Sequence, residues 1–168
     1  MMNLSEFERL VAAGYRHIPV FRQRLADTDT PVSVFARLRA NGKEEGARYL
    51  FESVQSGERW GRYSIIGLGS GTVLQYRQGE MRVQHPNAML ETIACTDPFE
   101  FIRKFQNTFK TPPVSETPAL PSFTGGLVGY FAYDSVRYIE PRLKNVPEFD
   151  PINLPDIWLM VSDTVIVF

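Results

Sequence analysis

The chain has 168 residues, a formal net charge of −1 and a hydrophobic fraction of 43%. This length suffices for one domain with a sizeable core, and the apolar content favours a globular fold over disorder. Positive charge is not concentrated in a run, so we expect no nucleic-acid partner. No stretch approaches the roughly 18 apolar residues that span a bilayer, so we expect no membrane partner. The single cysteine, Cys95, fits a reducing cytoplasm.

Two helices are predicted near the amino terminus. Ser5 and Glu8 stand in capping-box spacing before an apolar run, which indicates a short first helix. Thr30 and Pro31 then form a helix start, with threonine as the N-cap and proline at the first helical position. Apolar residues at helical spacing follow, and we expect this second helix to end near Asn41.

The middle of the chain is rich in predicted β-strands. Glycine-containing turns separate four apolar or alternating runs, at 47–54, 63–68, 72–77 and 81–84. We interpret these runs as an antiparallel meander. A third helix is predicted to begin at Asp97-Pro98, with an apolar stripe that extends to Phe109.

Two further β segments are predicted after a proline-rich loop at 111–121. Three glycines within 125–129 lie in an apolar strand, where they would permit close approach of another backbone. The final apolar run, 157–168, is interrupted by three polar residues, and its apolar end leads us to expect that the chain continues beyond Phe168. The expected fold class is α+β, an antiparallel β-sheet with packed helices.

A search for catalytic and metal-binding patterns finds none. His17 and His85 do not have a metal-ligand spacing, and the sequence contains no nucleophile elbow. The glycine clusters at 67–71 and 125–129 lack the lysine of a phosphate loop and are better explained as turn or close-packing residues. These patterns give no candidate catalytic residue and no candidate metal ligand.

Five short motifs are not explained by generic strand or turn formation. They are Ile-Pro-Val-Phe-Arg at 18–22, Asp-Thr-Pro-Val-Ser at 29–33, Leu-Phe-Glu-Ser at 50–53, Gly-Glu-Arg-Trp-Gly-Arg-Tyr-Ser at 57–64 and a glycine-rich motif at 123–134. In this order they closely resemble the amino-terminal region of anthranilate synthase component I, a chorismate-using family. The family has a second leucine where this chain has Phe51, whereas the motif at 57–64 is unchanged.

The resemblance implies a function for the whole protein. Enzymes of this family are lyases that convert chorismate and ammonia from glutamine to anthranilate and pyruvate, in tryptophan biosynthesis. Residues 1–168 would be the amino-terminal regulatory region, inactive alone, and a carboxy-terminal chorismate-binding catalytic domain would follow. The resemblance further implies Mg²⁺ in the full-length enzyme but not on this part, a glutamine amidotransferase partner (component II) and a cytoplasmic location.

The resemblance also implies a site for L-tryptophan, the feedback inhibitor, at Pro31, Leu50, Glu52, Ser53 and Ser64. Glu52 and Ser53 would bind the polar groups of the amino acid, and Pro31 and Leu50 would form part of the apolar wall. Without the resemblance, Glu52 and Ser53 are better explained as residues that cap a hairpin, and it is the resemblance that favours the ligand site.

Two alternative functions stay open at this stage. The related aminodeoxychorismate synthase component I, of the folate route, shares the amino-terminal architecture, although the unbroken motif at 57–64 favours anthranilate synthase. The second alternative is a stand-alone amino-acid-binding module, against which the apolar end of the chain argues.

Overall fold

The computed structural model describes residues 2–40, 46–52, 63–117, 120–121, 123–143, 150 and 152–168. Their helices and strands are α1 (Leu4–Ala12), α2 (Pro31–Ala40), β1 (Arg48–Phe51), β2 (Ile65–Arg77), β3 (Glu80–Gln84), β4 (Glu91–Ala94), α3 (Pro98–Asn107), β5 (Gly126–Phe131) and β6 (Ile157–Val167). Short 3-10 turns lie at Val114–Glu116, Tyr133–Tyr138 and Pro141–Leu143. The strands form an antiparallel sheet, so the predicted α+β class is confirmed.

The chain divides into two compact units. The first comprises Met1–Leu68, Asn107–Gly125 and Asp163–Phe168, and the second comprises Gly69–Gln106 and Gly126–Ser162. Both β2 and β6 therefore contribute residues to each unit.

Polar side chains fix the starts of α1 and α3. Asn3 caps α1, because its Oδ1 accepts a hydrogen bond from the Glu6 amide at 2.8 Å. The predicted capping box at Ser5 is therefore wrong: asparagine caps a helix as well as serine does, and the earlier start adds helical residues. Asp97 caps α3 as predicted, with its Oδ1 accepting from the Glu100 amide at 2.9 Å.

The core of the second unit lies on one face of strands ordered β4-β3-β2-β6-β5. β2 and β3 are joined at Gln78 and Gly79, whose φ angles of 48° and 85° suit a tight two-residue hairpin turn. Alternate residues of the two strands are buried, as a half-buried antiparallel pair requires. The core consists of Leu74, Tyr76, Met81, Val83, Cys95, Ile102, Ile157 and Leu159.

Several predicted element boundaries are wrong. The predicted runs 63–68 and 72–77 are joined in one strand, β2, which begins at Ile65, and the polar residues at 162–164 lie inside β6. Backbone hydrogen bonds to a neighbouring strand hold such residues extended whatever their side chains. The glycines of β2 and the polar residues of β6 therefore do not form turns there.

β4 was not predicted, because its half-polar sequence becomes a strand only through pairing with β3. Phe109 lies beyond α3, where its ring packs against that of His17 with centroids 4.9 Å apart.

Gly129 allows β5 and β6 to approach each other closely. It pairs with Leu159, and a Cβ atom at Gly129 would lie 1.9 Å from the carbonyl oxygen of Trp158. It would also lie 2.9 Å from the Cα of Leu159. The predicted close approach of another backbone to this glycine-rich strand is confirmed.

Replacing Gly129 with alanine should lower the free energy of unfolding by about 2–3 kcal/mol, because the added methyl group forces β5 away from β6. Gly126→Ala is the matched control in the same strand. A Cβ there meets no atom within 4 Å, so its cost is the backbone strain at φ 136°, about 1–3 kcal/mol, without a steric clash. Urea denaturation measures both values, and a Gly129→Ala variant as stable as the unaltered protein would contradict the steric explanation.

Candidate functional site

Three residues of the predicted effector site lie at one end of the β1–β2 pair, in the first unit. Leu50 pairs with Ile66 and Phe51 with Ile65, and this register extended by one residue beyond the strands sets Glu52 opposite Ser64. Because side chains alternate between the two faces of a strand, Leu50, Glu52 and Ser64 share one face with Ile66. The register of a single strand pair therefore brings these three predicted residues together.

The shared face changes from apolar to polar along the strand pair. Ile66 is fully buried and Leu50 is half-buried, whereas Ser64 is half-buried and Glu52 is exposed. A carboxylate accepts hydrogen bonds from a cation, and a hydroxyl can donate to an anion or accept from a donor. Of this face, the half-buried Leu50 is the accessible apolar part, and Ser64 and Glu52 beside it are the polar part.

The main chain of Ser64 is fixed by β-sheet pairing. Its amide donates to the carbonyl oxygen of Phe168 at 3.2 Å, and the Phe168 amide donates to the Ser64 carbonyl oxygen at 2.9 Å. This pair joins the start of β2 to the end of β6. Since the backbone groups are engaged, the hydroxyl of Ser64 is the group that can rotate toward a ligand.

The opposite face of the β1–β2 pair is aromatic. Tyr49 pairs with Gly67, and the tyrosine ring occupies the space where a Cβ of residue 67 would lie, 1.9 Å from its Cζ. The same ring packs against that of Phe51, with centroids 4.7 Å apart. Gly67 is therefore the residue that lets Tyr49 cover this face and hold β1 in register.

Pro31 occupies the first turn of α2, and a reciprocal cap fixes its position. The Ser33 amide donates to Oγ1 of Thr30 at 3.1 Å, and the Thr30 amide donates to Oγ of Ser33 at 2.9 Å. The predicted helix start is confirmed. At the other end of α2, the Arg48 guanidinium of β1 donates to the Leu38 carbonyl oxygen. The helix is thus tied to β1 through its last turn, whereas Pro31 lies in its first.

Ser53 and residues 57–62 lie outside the described residues. The role that the sequence suggests for Ser53 therefore stays a prediction. The same applies to the charged part of the turn motif, of which the structure describes only Tyr63 and Ser64.

A cavity of about 240 Å³ in the second unit was not predicted from the sequence. It is lined by Gln75, Arg77, Arg82, Asn153 and Pro155. The Arg77 guanidinium donates to the Asn153 carbonyl oxygen at 3.0 Å and pairs with Asp150 at 3.2 Å. Arg82 lies 3.5 Å from Glu80. Because carboxylates offset both guanidinium charges, and Arg77 holds Asp150 and Asn153 against β2, the arrangement favours a structural role.

The perturbed pKa values in the described part of the chain are all raised. They belong to Tyr15, Tyr76, Cys95 and Tyr138. A hydrogen bond of 3.0 Å to the Glu116 carboxylate raises the pKa of Tyr15. Burial raises the pKa of Tyr138, whose hydroxyl also donates to Asp156 at 2.6 Å. Raised pKa values keep these groups protonated at neutral pH, so none of them is an activated nucleophile or base.

The described ranges contain no group of three or more His, Cys, Asp or Glu side chains arranged to hold a metal ion. They also contain no helix of the length and apolarity needed to cross a membrane.

Comparison with curated proteins gives matches along the whole chain. It is 59% identical over 168 residues to anthranilate synthase component 1 of Acinetobacter calcoaceticus and 48% identical over 167 residues to that of Pseudomonas aeruginosa. The protein of the same name from Aquifex aeolicus is 40% identical over 169 residues. The chain is homologous to part of anthranilate synthase component 1. The predicted resemblance is thereby confirmed.

The matches cover 99–100% of this chain but only 32–33% of each of these three relatives. The chain thus spans about a third of the length of the anthranilate synthase component 1 proteins that it matches. No protein-family model matches the chain.

Replacing Thr30 with alanine should lower the free energy of unfolding by about 1 kcal/mol, because the amide of Ser33 loses its cap. Thr28→Ala is the control, since Thr28 is exposed two residues earlier and should change stability by no more than about 0.5 kcal/mol. Chemical denaturation of both variants tests the cap, and indistinguishable midpoints would show that it does not stabilise α2.

Proposed function

We propose that this chain is the regulatory region of an anthranilate synthase component I and contributes to its L-tryptophan site. The similarity over the whole chain to proteins of that name carries the family part of the proposal. The β1–β2 register supports the effector part, because it brings Leu50, Glu52 and Ser64 to one face.

The complete protein would be a lyase that converts chorismate and ammonia to anthranilate and pyruvate. A glutamine amidotransferase subunit, component II, would supply the ammonia, in the cytoplasm. By the resemblance to this family, the Mg²⁺ ion and the chorismate-binding residues would belong to the remaining two thirds of the protein. On this proposal the present chain is inactive by itself.

The chemistry of the face matches the groups of an amino-acid inhibitor. The Glu52 carboxylate would accept hydrogen bonds from the ammonium group, a charge-assisted interaction stronger than a neutral one. The hydroxyls of Ser64 and Ser53 would donate to the inhibitor's carboxylate. Leu50 and Pro31 would contact the indole ring. Inhibition follows if L-tryptophan binds one conformation of the enzyme more tightly than the active one.

The test uses the full-length enzyme and its inhibition by L-tryptophan. Glu52→Gln should raise the half-inhibitory concentration at least about tenfold, because it removes the charge that pairs with the ammonium group. Glu91→Gln, an exposed carboxylate at the start of β4, is the charge-matched control and should leave inhibition unchanged. Anthranilate fluorescence reports the rate with chorismate and ammonium salts as substrates.

Unchanged inhibition in Glu52→Gln would show that the effector pocket lies elsewhere. Phe51→Leu adds a control for the fold of β1, since Phe51 points to the opposite face and is half exposed. Formation of aminodeoxychorismate in place of anthranilate by the unaltered enzyme would favour the folate-route alternative.

A further inference from the structure

Strand β5 lies at one end of the strand order β4-β3-β2-β6-β5. Within the described ranges it therefore pairs on one side only, with β6. The other side, here called the β5 outer edge, consists of the backbone groups of Gly126–Phe131 that point away from β6.

The register identifies which amides form the outer edge. The Ala132 amide donates to the Asp156 carbonyl oxygen at 2.7 Å, so it points toward β6. Successive amides of an antiparallel strand point to opposite sides. The amides of Tyr130, Val128 and Gly126 therefore point toward β6, as that of Ala132 does. The amides between them point outward. They are the amides of Leu127, Gly129 and Phe131.

The two ends of the sheet differ in how they resist association. β4 is only four residues long and begins with Glu91, and short strands and charges are usual protection for an exposed edge. β5 has six residues, and no charged residue occurs anywhere from Phe123 to Tyr133. Tyr130 is 38% exposed and Phe131 is 49% exposed. A long, uncharged, apolar edge of this kind invites pairing with another strand.

We propose that a β-strand from the remaining part of the full-length protein pairs with the β5 outer edge and extends the sheet. This inference rests on the proposed function, under which the chain is about a third of an anthranilate synthase component I. The other two thirds supply the covering strand. A strand on the same polypeptide has a high effective concentration at this edge, which favours it over a second copy of the protein.

Amide hydrogen exchange on the full-length protein tests the pairing, with fragmentation that resolves single residues. The outward amides of Leu127, Gly129 and Phe131 should exchange at least about a hundredfold more slowly than in an unstructured peptide, as the inward amides of Val128 and Tyr130 do. Protection should be independent of protein concentration, because the partner is on the same chain. Outward amides with less protection, or with protection that disappears on dilution, would overturn the inference.

Photo-crosslinking identifies the covering segment. Tyr133 lies just after β5 and is 90% exposed, so a benzophenone amino acid at this position should not disturb the fold. Irradiation of the full-length protein should crosslink position 133 to residues of the same polypeptide that lie outside this 168-residue sequence. Failure to obtain such a crosslink, or crosslinks only between two polypeptides, would contradict the proposed occupant.

The same preparation separates this inference from the proposed function. An enzyme that makes anthranilate and is inhibited by L-tryptophan, but has unprotected outward amides, would retain the function and overturn the edge pairing. Protected amides in a protein without either property would support the edge pairing and contradict the function.

Discussion

The register of β1 against β2 is the constraint on which the candidate effector site depends. Side chains alternate between the two faces of a strand. A slip of β1 by one residue would therefore move both Leu50 and Glu52 to the opposite face of the pair, away from Ile66. The contact between Tyr49 and Gly67 opposes such a slip, because a residue with a side chain at position 67 would displace the tyrosine ring. A glycine on the aromatic face thus helps to place a carboxylate on the other.

Local interactions explain which parts of the fold could be predicted from the sequence. The helix starts at Thr30 and Asp97 depend on side chains within three residues, and both follow from the sequence. The continuity of β2 through Gly69 and Gly71 depends instead on neighbouring strands, as does the existence of β4. Residues that are neutral or unfavourable in strands adopt the strand conformation when pairing supplies their backbone hydrogen bonds, and single-sequence patterns do not contain that information.

The resemblance predicted which residues form the effector site, but it did not predict how they are positioned relative to one another. Leu50 and Glu52 are two residues apart, so their shared face follows from any strand assignment. The position of Ser64 opposite Glu52 requires the length of the intervening turn and the register, which only the structure supplies. The cavity beside Arg77 depends on Asn153 and Pro155, more than 70 positions away along the chain, which explains why no local pattern indicates it.

The shared face of Leu50, Glu52 and Ser64 is too open to enclose an amino acid by itself. Small-molecule sites bury most of the ligand surface, roughly 70–90%, whereas Glu52 is exposed to solvent. On the proposed function, further walls must therefore come from other segments, such as the first turn of α2 or the rest of the protein. A pocket assembled from separate segments binds its ligand tightly only in the conformation that brings them together. Ligand binding then stabilises that conformation, which is the physical requirement for an inhibitor that acts away from the reacting atoms.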